Sequence, residues 1–536
     1  MLPSPELLAS LLLLAPLAGA VLVWLPRLWA TRQAGERRPA AEQRAGRLLE
    51  LVTIGTSLAS LLLVLAIAAR SSGAEIHYWL LFVELYLDSL SIYFLLLVSV
   101  VALVAAGYAG PCWSRRSGAD TLSLAQFHSL FNLFLFTMVL VPMVSNLVVL
   151  WIGIELTTVT STVLIAAERS RVHFEAAWKY IIITSTGIIF ALLGTLFLAT
   201  AIRPDGTAAP SMSWPDLVDP SAMLDPNLTR LSFLFVLIGY GTKAGFAPMH
   251  TWLPDAHGEA PYPVSALLSG VLLKSALYAI LRFFHITNLA LDDGGRFASA
   301  TLLGTGLLAM VTATPFILKR NPFKRVLAYH SLEHMGIIAV GIGIGGPVAL
   351  FGALLHVLNH GVTKSLMFLA YGNVQDNYPR AGPDGSGAEP DPARRDEHRQ
   401  GVLRALPGTG SLLALGGFAL VGSPPFSIFL SELLILWGAL QQVLAGPAWW
   451  LVLAMAVFLV SVTVVFAGLV RHLSRILLGQ PPDGVRPERL RQTLPLLALV
   501  AVMLLLGLMV PDAGPLDLRG LLDESVELLC QGGGCP

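Results

Sequence analysis

Apolar residues run through this chain in long blocks, broken at short intervals by clusters of Arg, Gly and Pro. A bilayer core takes about 20 apolar residues per helix. On that measure the sequence predicts fourteen spans, near 5–26, 48–69, 85–108, 128–143, 145–167, 178–200, 231–253, 262–288, 297–318, 326–345, 347–374, 408–440, 448–470 and 494–510. The third has room to extend back to Tyr78. Single strands cannot cross lipid because their backbone groups would go unpaired, so the expected class is an all-α polytopic membrane protein. The N-terminal run lacks a basic start and is too long for a signal core, so it reads as the first span.

Loop charge tests the count. Loops after odd-numbered spans hold 25 Lys and Arg, and those after even-numbered spans hold five, among them Arg282. By the positive-inside rule this places both termini on the outer face of a bacterial or archaeal plasma membrane. Segment 376–402, rich in Pro and Gly, reads as an exposed cytoplasmic loop, and 202–230 as a longer outer loop.

Composition agrees with a membrane chain: 55% of the 536 residues are hydrophobic and 13% charged. Net charge is zero and no basic patch is interleaved with aromatics, which argues against nucleic acid. Three cysteines, Cys112, Cys530 and Cys535, are too few for a disulfide framework or a cluster-binding subunit. Whether Cys530 and Cys535 pair stays open.

Two spans are interrupted, the seventh at Gly245 to Pro248 and the twelfth at Gly422 to Pro424 and Pro425. Proline removes a helix hydrogen bond and clashes with the preceding turn. The breaks lie five spans apart, so a five-span unit repeated once would be inverted. Spans 4–8 and 9–13 fit that scheme, and matched breaks point to a transport site. Each break alone also fits simple helix packing. The expected division is 1–127 for spans 1–3, 128–290 for the first repeat, 291–475 for the second, and 476–536 for the last span and an outer tail.

Ionisable side chains inside a bilayer are costly and mark function. Only six lysines exist, and Lys243, Lys274 and Lys364 lie within spans. Glu155, Glu432, His334, His356 and His360 join them. Burial disfavours an ammonium and a nearby carboxylate favours it, so a Glu–Lys pair such as Glu155–Lys243 can load and unload a proton. His356, His360 and Lys364 follow at four-residue steps on one helix face, a ladder suited to proton relay. Glu333 neighbours His334 but is expected to face elsewhere. Asp255, His257 and Glu259, in a loop after span seven, would gather protons at the cytoplasmic mouth, or else be ordinary turn chemistry. Lys179 and His330 complete the candidates. Lys274 near a span end also fits snorkelling, and a lone His also fits packing. Paired histidines suit metal or haem too, yet no axial pair on facing helices is evident. No cofactor and no metal is expected in this chain.

The run GTKAGFAPMHTWLPDAHGEAPYPVSALLSGVLLKSALYAILRF resembles the signature of the antiporter-like subunits of respiratory complex I, shared with Mrp-type antiporters and membrane-bound hydrogenases. The blocks WIGIELTTV, YHSLEHMG, LNHGVTKSLMFLAYGN and FLSELLIL agree over roughly residues 80–470. The combination LEHMG with NHGVTKSLMFLAYGN most resembles the F component of hydrogenase-4-type complexes. The resemblance implies Glu155 and Lys243 as a coupled pair and Lys274 as relay. It implies His334, His360 and Lys364 as the central axis, with Glu432 opening to the outside. It further implies a proton-translocating subunit of a complex I-like or hydrogenase-4-like oxidoreductase, with other membrane subunits and peripheral redox subunits as partners. The alternatives are a subunit of an Mrp-type sodium/proton antiporter or of a proton-coupled carbon uptake complex, or, from another class, a quinone- or haem-binding redox enzyme.

Overall fold

The structure is a computed structural model describing residues 3–33, 38–71, 75–116, 121–202, 211–219, 223–291, 293–379, 399–446, 448–512 and 517–531. The predicted loop 376–402 and the outer loop 202–230 therefore fall partly outside the described residues, and Cys535 wholly so. The chain opens with α1 (Pro5–Leu22), α2 (Trp24–Thr31) and α3 (Arg38–Ser71). A two-stranded antiparallel hairpin follows, β1 (Ile76–Leu80) and β2 (Val83–Leu87), with His77 opposite Tyr86. The third span thus begins at Ser89 and does not reach back to Tyr78. Next come α4 (Ser89–Arg116), α5 (Thr121–Met143), α6 (Leu147–Ile165), α7 (Arg171–Ala201) and the short α8 (Trp214–Leu217). The middle of the chain forms α9 (Pro226–Ala244), α10 (Trp252–Glu259), α11 (Tyr262–Leu267), a single π turn at Leu268–Leu272, and α12 (Leu273–Ala290). The second half holds α13 (Arg296–Leu318), α14 (Phe323–Ile344), α15 (Pro347–Asn377), α16 (Val402–Ala405), α17 (Pro407–Leu420), α18 (Ser427–Ala445), α19 (Trp449–Leu477), α20 (Leu490–Leu508) and α21 (Leu518–Cys530).

Twelve helical spans among the described residues are long and apolar enough to cross a membrane. Two long helices stand outside that set, α9 with 19 residues and α15 with 31. They hold Lys243 and, on α15, His356, His360 and Lys364, and polar side chains dilute their apolar runs. Helices at the rim keep large apolar side chains on the surface, such as Ile189 and Val460, as a lipid-facing surface requires. The segment Tyr262–Ala290 is buried along its whole apolar length, and α14 nearly so. Charged side chains on these inner helices are therefore held away from lipid.

The two breaks share one construction. At the first, Gly245 takes φ 81°, Gly245 N–H donates to Thr242 O at 3.2 Å, and Phe246 N–H donates to Gly241 O at 2.8 Å. At the second, Gly422 takes φ 66°, its N–H donates to Ala419 O at 3.1 Å, and Ser423 N–H donates to Phe418 O at 3.1 Å. A left-handed residue with these back-reaching bonds is the usual glycine helix stop. The Ala247–Pro248 and Pro424–Pro425 peptides that follow are both cis. Trp252 Nε1 donates to Thr242 O at 2.9 Å, so protein occupies a carbonyl that the first break frees.

Two expectations need correction. The stretch after span seven is the helix α10, so Asp255, His257 and Glu259 lie on a helix rather than in a loop. Arg282, counted with the outer loops, lies inside α12 and is 1% exposed.

Candidate functional site

Glu155 lies mid-way along α6, where its Oε1 accepts from Ser185 Oγ of α7 at 2.7 Å. Its Oε2 is buried without a hydrogen-bond partner. Lys243 occupies the last turn of α9, beside the break, and is fully buried. Its ammonium donates to Thr158 Oγ1 and to Tyr180 OH, both at 2.6 Å. Tyr180 OH also meets Ser161 Oγ at 2.8 Å. The expected Glu155–Lys243 pair is thus no direct ion pair. Hydroxyls, not the Glu155 carboxylate, surround the Lys243 Nζ. Thr158, the partner of Lys243, lies three residues along α6 from Glu155.

Lys274 follows the π turn at the start of α12. There its Nζ donates to Ser269 O at 2.5 Å and meets His360 Nδ1 of α15 at 2.6 Å. Wide turns of this kind often mark functional positions. The His360 ring stacks on His334 of α14, centroids 4.8 Å apart. His334 Nδ1 and His356 Nε2 are 2.8 Å apart, and His356 Nδ1 reaches Ser431 Oγ of α18 at 2.9 Å. Glu432 follows Ser431, 8% exposed, and a donor atom of its carboxylate lies within 4.8 Å of one on His334 and one on His356.

The predicted ladder along α15 is therefore corrected. His356 and His360 are joined through His334 of the neighbouring helix, not to each other. Lys364 leaves that line and donates to Leu327 O at 2.6 Å. Glu333, expected to face away, is 2% exposed and lies 3.4 Å from His330 Nδ1. The expectation failed because α14 is buried on nearly every side, so no face of it is outward.

At the other end of these helices, Asp255 of α10 binds Lys179 of α7 at 3.2 Å and also pairs with Arg325 of α14. Lys179 additionally meets Glu175 at 2.8 Å. His257 is fully buried, its Nδ1 at 3.0 Å from Leu253 O and its ring near Trp252 and Phe368. It lies inside the fold rather than at the surface, and its Nε2 makes no hydrogen bond. Glu259 sits half-buried in the last turn of α10.

Sequence reasoning also missed Asp88, just before α4. Arg282 donates to both of its carboxylate oxygens, at 2.7 and 2.6 Å, and to Ser91 Oγ and Tyr278 OH. The partners lie 194 positions apart, so no local spacing could link them. Among the described residues, two sets of three buried side chains bring ligand atoms close enough to hold a metal ion: His330, Glu333 and His334, and His334, His356 and Glu432.

Residues 144–478 match the family model described as NADH:quinone oxidoreductase/Mrp antiporter, TM. A "Hydrogenase-4 component F homolog" of Methylacidiphilum infernorum (isolate V4) is 34% identical over 411 residues, covering 75% of this chain and 80% of the relative. An "NADH-quinone oxidoreductase subunit N" of Desulforudis audaxviator (strain MP104C) is 28% identical over 410 residues, covering 76% and 75%. Among solved structures, a chain of the archaeal membrane-bound sulfane sulfur reductase superposes with a TM-score of 0.79 at 22% identity, over 99% of this chain and 98% of that one. A chain of respiratory complex I from Thermus thermophilus gives 0.74 at 21%, over 97% and 99%. With more than half its length inside the matched model, this chain belongs to the NADH:quinone oxidoreductase/Mrp antiporter transmembrane family.

Proposed function

We propose that this chain moves protons across the membrane as one subunit of a complex I-like or hydrogenase-4-like oxidoreductase. Redox chemistry in partner subunits supplies the energy, and this chain needs no cofactor of its own for the proton step. The observation that carries the reading is the buried polar line Lys274–His360–His334–His356–Ser431, ending beside Glu432 and drawn from α12, α14, α15 and α18. Imidazole can take a proton on one nitrogen and release one from the other, so the rings hand a proton along, with a ring rotation at the His360–His334 step, where they stack without a hydrogen bond. Glu155 and Lys243 form the control element of the first half: a change of charge at Glu155 alters the cost of the Lys243 ammonium. On this reading α9 and α15 cross the membrane with the other spans, and both termini face outward. With Arg282 taken out of the outer loops, the Lys/Arg asymmetry between the two faces is stronger still. Lys179, Asp255 and Arg325 then lie at the cytoplasmic face.

Each proton driven against 100 mV costs about 2.3 kcal/mol, so the step must be tied to the partners' redox cycle. The test is the intact complex in sealed vesicles, with proton uptake followed against electron transfer. Lys274→Met and His334→Gln should each lower protons moved per electron by about tenfold or more, the scale of losing a positioned proton carrier. Unchanged ratios in both variants would sink the proposal, and flux that follows sodium instead would favour the antiporter reading.

A further inference from the structure

Helix α14 carries His330-Ser331-Leu332-Glu333-His334, two histidines four apart with a carboxylate between them. That spacing brings the side chains to one side of a helix; a His pair at i and i+4 of a helix is a recurrent way of holding zinc, and a carboxylate completes the donor set in other zinc sites. All three side chains are buried, none more than 2% exposed. One donor atom from each lies within 4.8 Å of the others. Both nitrogens of His330, Nε2 of His334 and Oε2 of Glu333 make no hydrogen bond. A buried polar atom left unpaired is costly, and all three residues carry such atoms. A single cation would engage three side chains at once.

The donor chemistry selects the cation. Two imidazoles and one carboxylate suit a borderline-soft divalent ion rather than magnesium or calcium. His334 is already arranged as a ligand. Its Nδ1 is engaged with His356 Nε2 at 2.8 Å, while Nε2 is free. Metal-bound histidines usually fix the other ring nitrogen in this way. A tetrahedral zinc ion sets its donors about 3.4 Å apart, so modest rotation of the side chains closes the site. His330 lies seven residues into α14, about 10 Å from the helix start.

We propose that His330, Glu333 and His334 form a site for one divalent transition-metal ion of the zinc type, and that an ion seated there removes His334 from the proton line. The second half rests on the proposed function; the first does not. With a metal on Nε2, His334 can no longer pass a proton between His360 and His356.

The test uses the full chain, purified in detergent, stripped with a chelator and titrated with Zn2+ or Co2+. The expected result is one tightly bound Zn2+ per chain, weakened by more than about tenfold in His330→Gln and in Glu333→Gln, since even an outer-sphere partner of a ligand is worth that much. Co2+ should give the intense visible absorption of a four-coordinate ion in the unmodified chain, a readout that needs no variant to fold. Zinc retention equal in the chain and both variants, or only the pale spectrum of six-coordinate Co2+, would overturn the site. Zinc should also slow proton uptake by the complex in vesicles. Stoichiometric binding with undiminished uptake would overturn the blocking role while leaving the site.

Discussion

His334 stands at the meeting point of four rings, stacked against His330 at 4.6 Å and His360 at 4.8 Å, and bonded to His356. The next link, His356 to Ser431, makes a graded prediction. His356→Gln breaks the relay at a titratable group and should lower proton uptake per electron by about tenfold or more. Ser431→Ala removes only a hydroxyl, which water can replace, and should lower it several-fold at most; undiminished uptake in His356→Gln would show that the line does not run through His356. Tyr180→Phe takes away one of two hydroxyls on the Lys243 ammonium and should slow turnover while leaving Thr158 in place, as measured by the rate of coupled electron transfer. The lysines and histidines were legible in the sequence because charge is costly in an apolar run. Ser431 and Thr158 were not, since a hydroxyl in an apolar helix usually bonds its own backbone. Glu333 was misjudged because a helix face was assumed to point outward.

Between elements, close backbone approach replaces side-chain bulk. A Cβ placed on Gly306 of α13 would meet Gly336 O of α14 at 2.6 Å and Val340 N at 2.8 Å, whereas one on Gly304 meets nothing within 4 Å. Small residues let membrane helices pack at such range. Gly306→Ala should therefore cost about 1–3 kcal/mol through overpacking, read as a lower unfolding temperature in detergent, with Gly304→Ala as a neutral control. The two breaks were legible because Gly and Pro punctuate an apolar run. The hairpin was not: its turn uses Leu81 at φ 55° in place of Gly or Asn, and Ile76 to Leu87 is apolar enough to pass for the start of a span. Within it, Glu84 accepts from Ser145 Oγ at 2.6 Å and meets His77 Nε2 at 2.8 Å. Burial alone would raise its carboxyl, but these bonds outweigh burial and hold it below the ordinary carboxylate range. A depressed value means stability present at neutral pH and lost as pH falls through the folded-state value. Hydrogen-exchange protection across β1 and β2, taken relative to the intrinsic rate at each pH, should accordingly fall in acid, and Glu84→Gln should remove that pH dependence.

At the scale of the whole molecule, the Asp88–Arg282 ion pair joins residues 194 positions apart and fastens the start of α4 to the buried α12. The guanidinium also lies 4.0 Å from the centre of the Trp214 ring, on the short α8. Next to Asp88, Ser89 Oγ donates to Glu524 of α21, whose last residue, Cys530, is disulfide-bonded. This corner thus gathers α4, α8, α12 and α21, and its residues carry no proton in the proposed line. Its energetics follow from desolvation. Two opposite charges buried together roughly cancel their own cost, whereas one alone is left uncompensated, at about 3–5 kcal/mol. Asp88→Asn and Arg282→Met should each destabilise the chain by about that much in denaturant unfolding, and the double variant should lose much less than their sum. Strict additivity would mean that the two residues contribute separately and that the corner is held by its aromatic and apolar contacts. A coupled result would identify a clamp that fixes α12, and with it Lys274, eight residues along the same helix. The coupled case carries a further consequence: proton uptake per electron should fall in the single variants and recover in the double, because Lys274 meets His360 only while α12 holds its place.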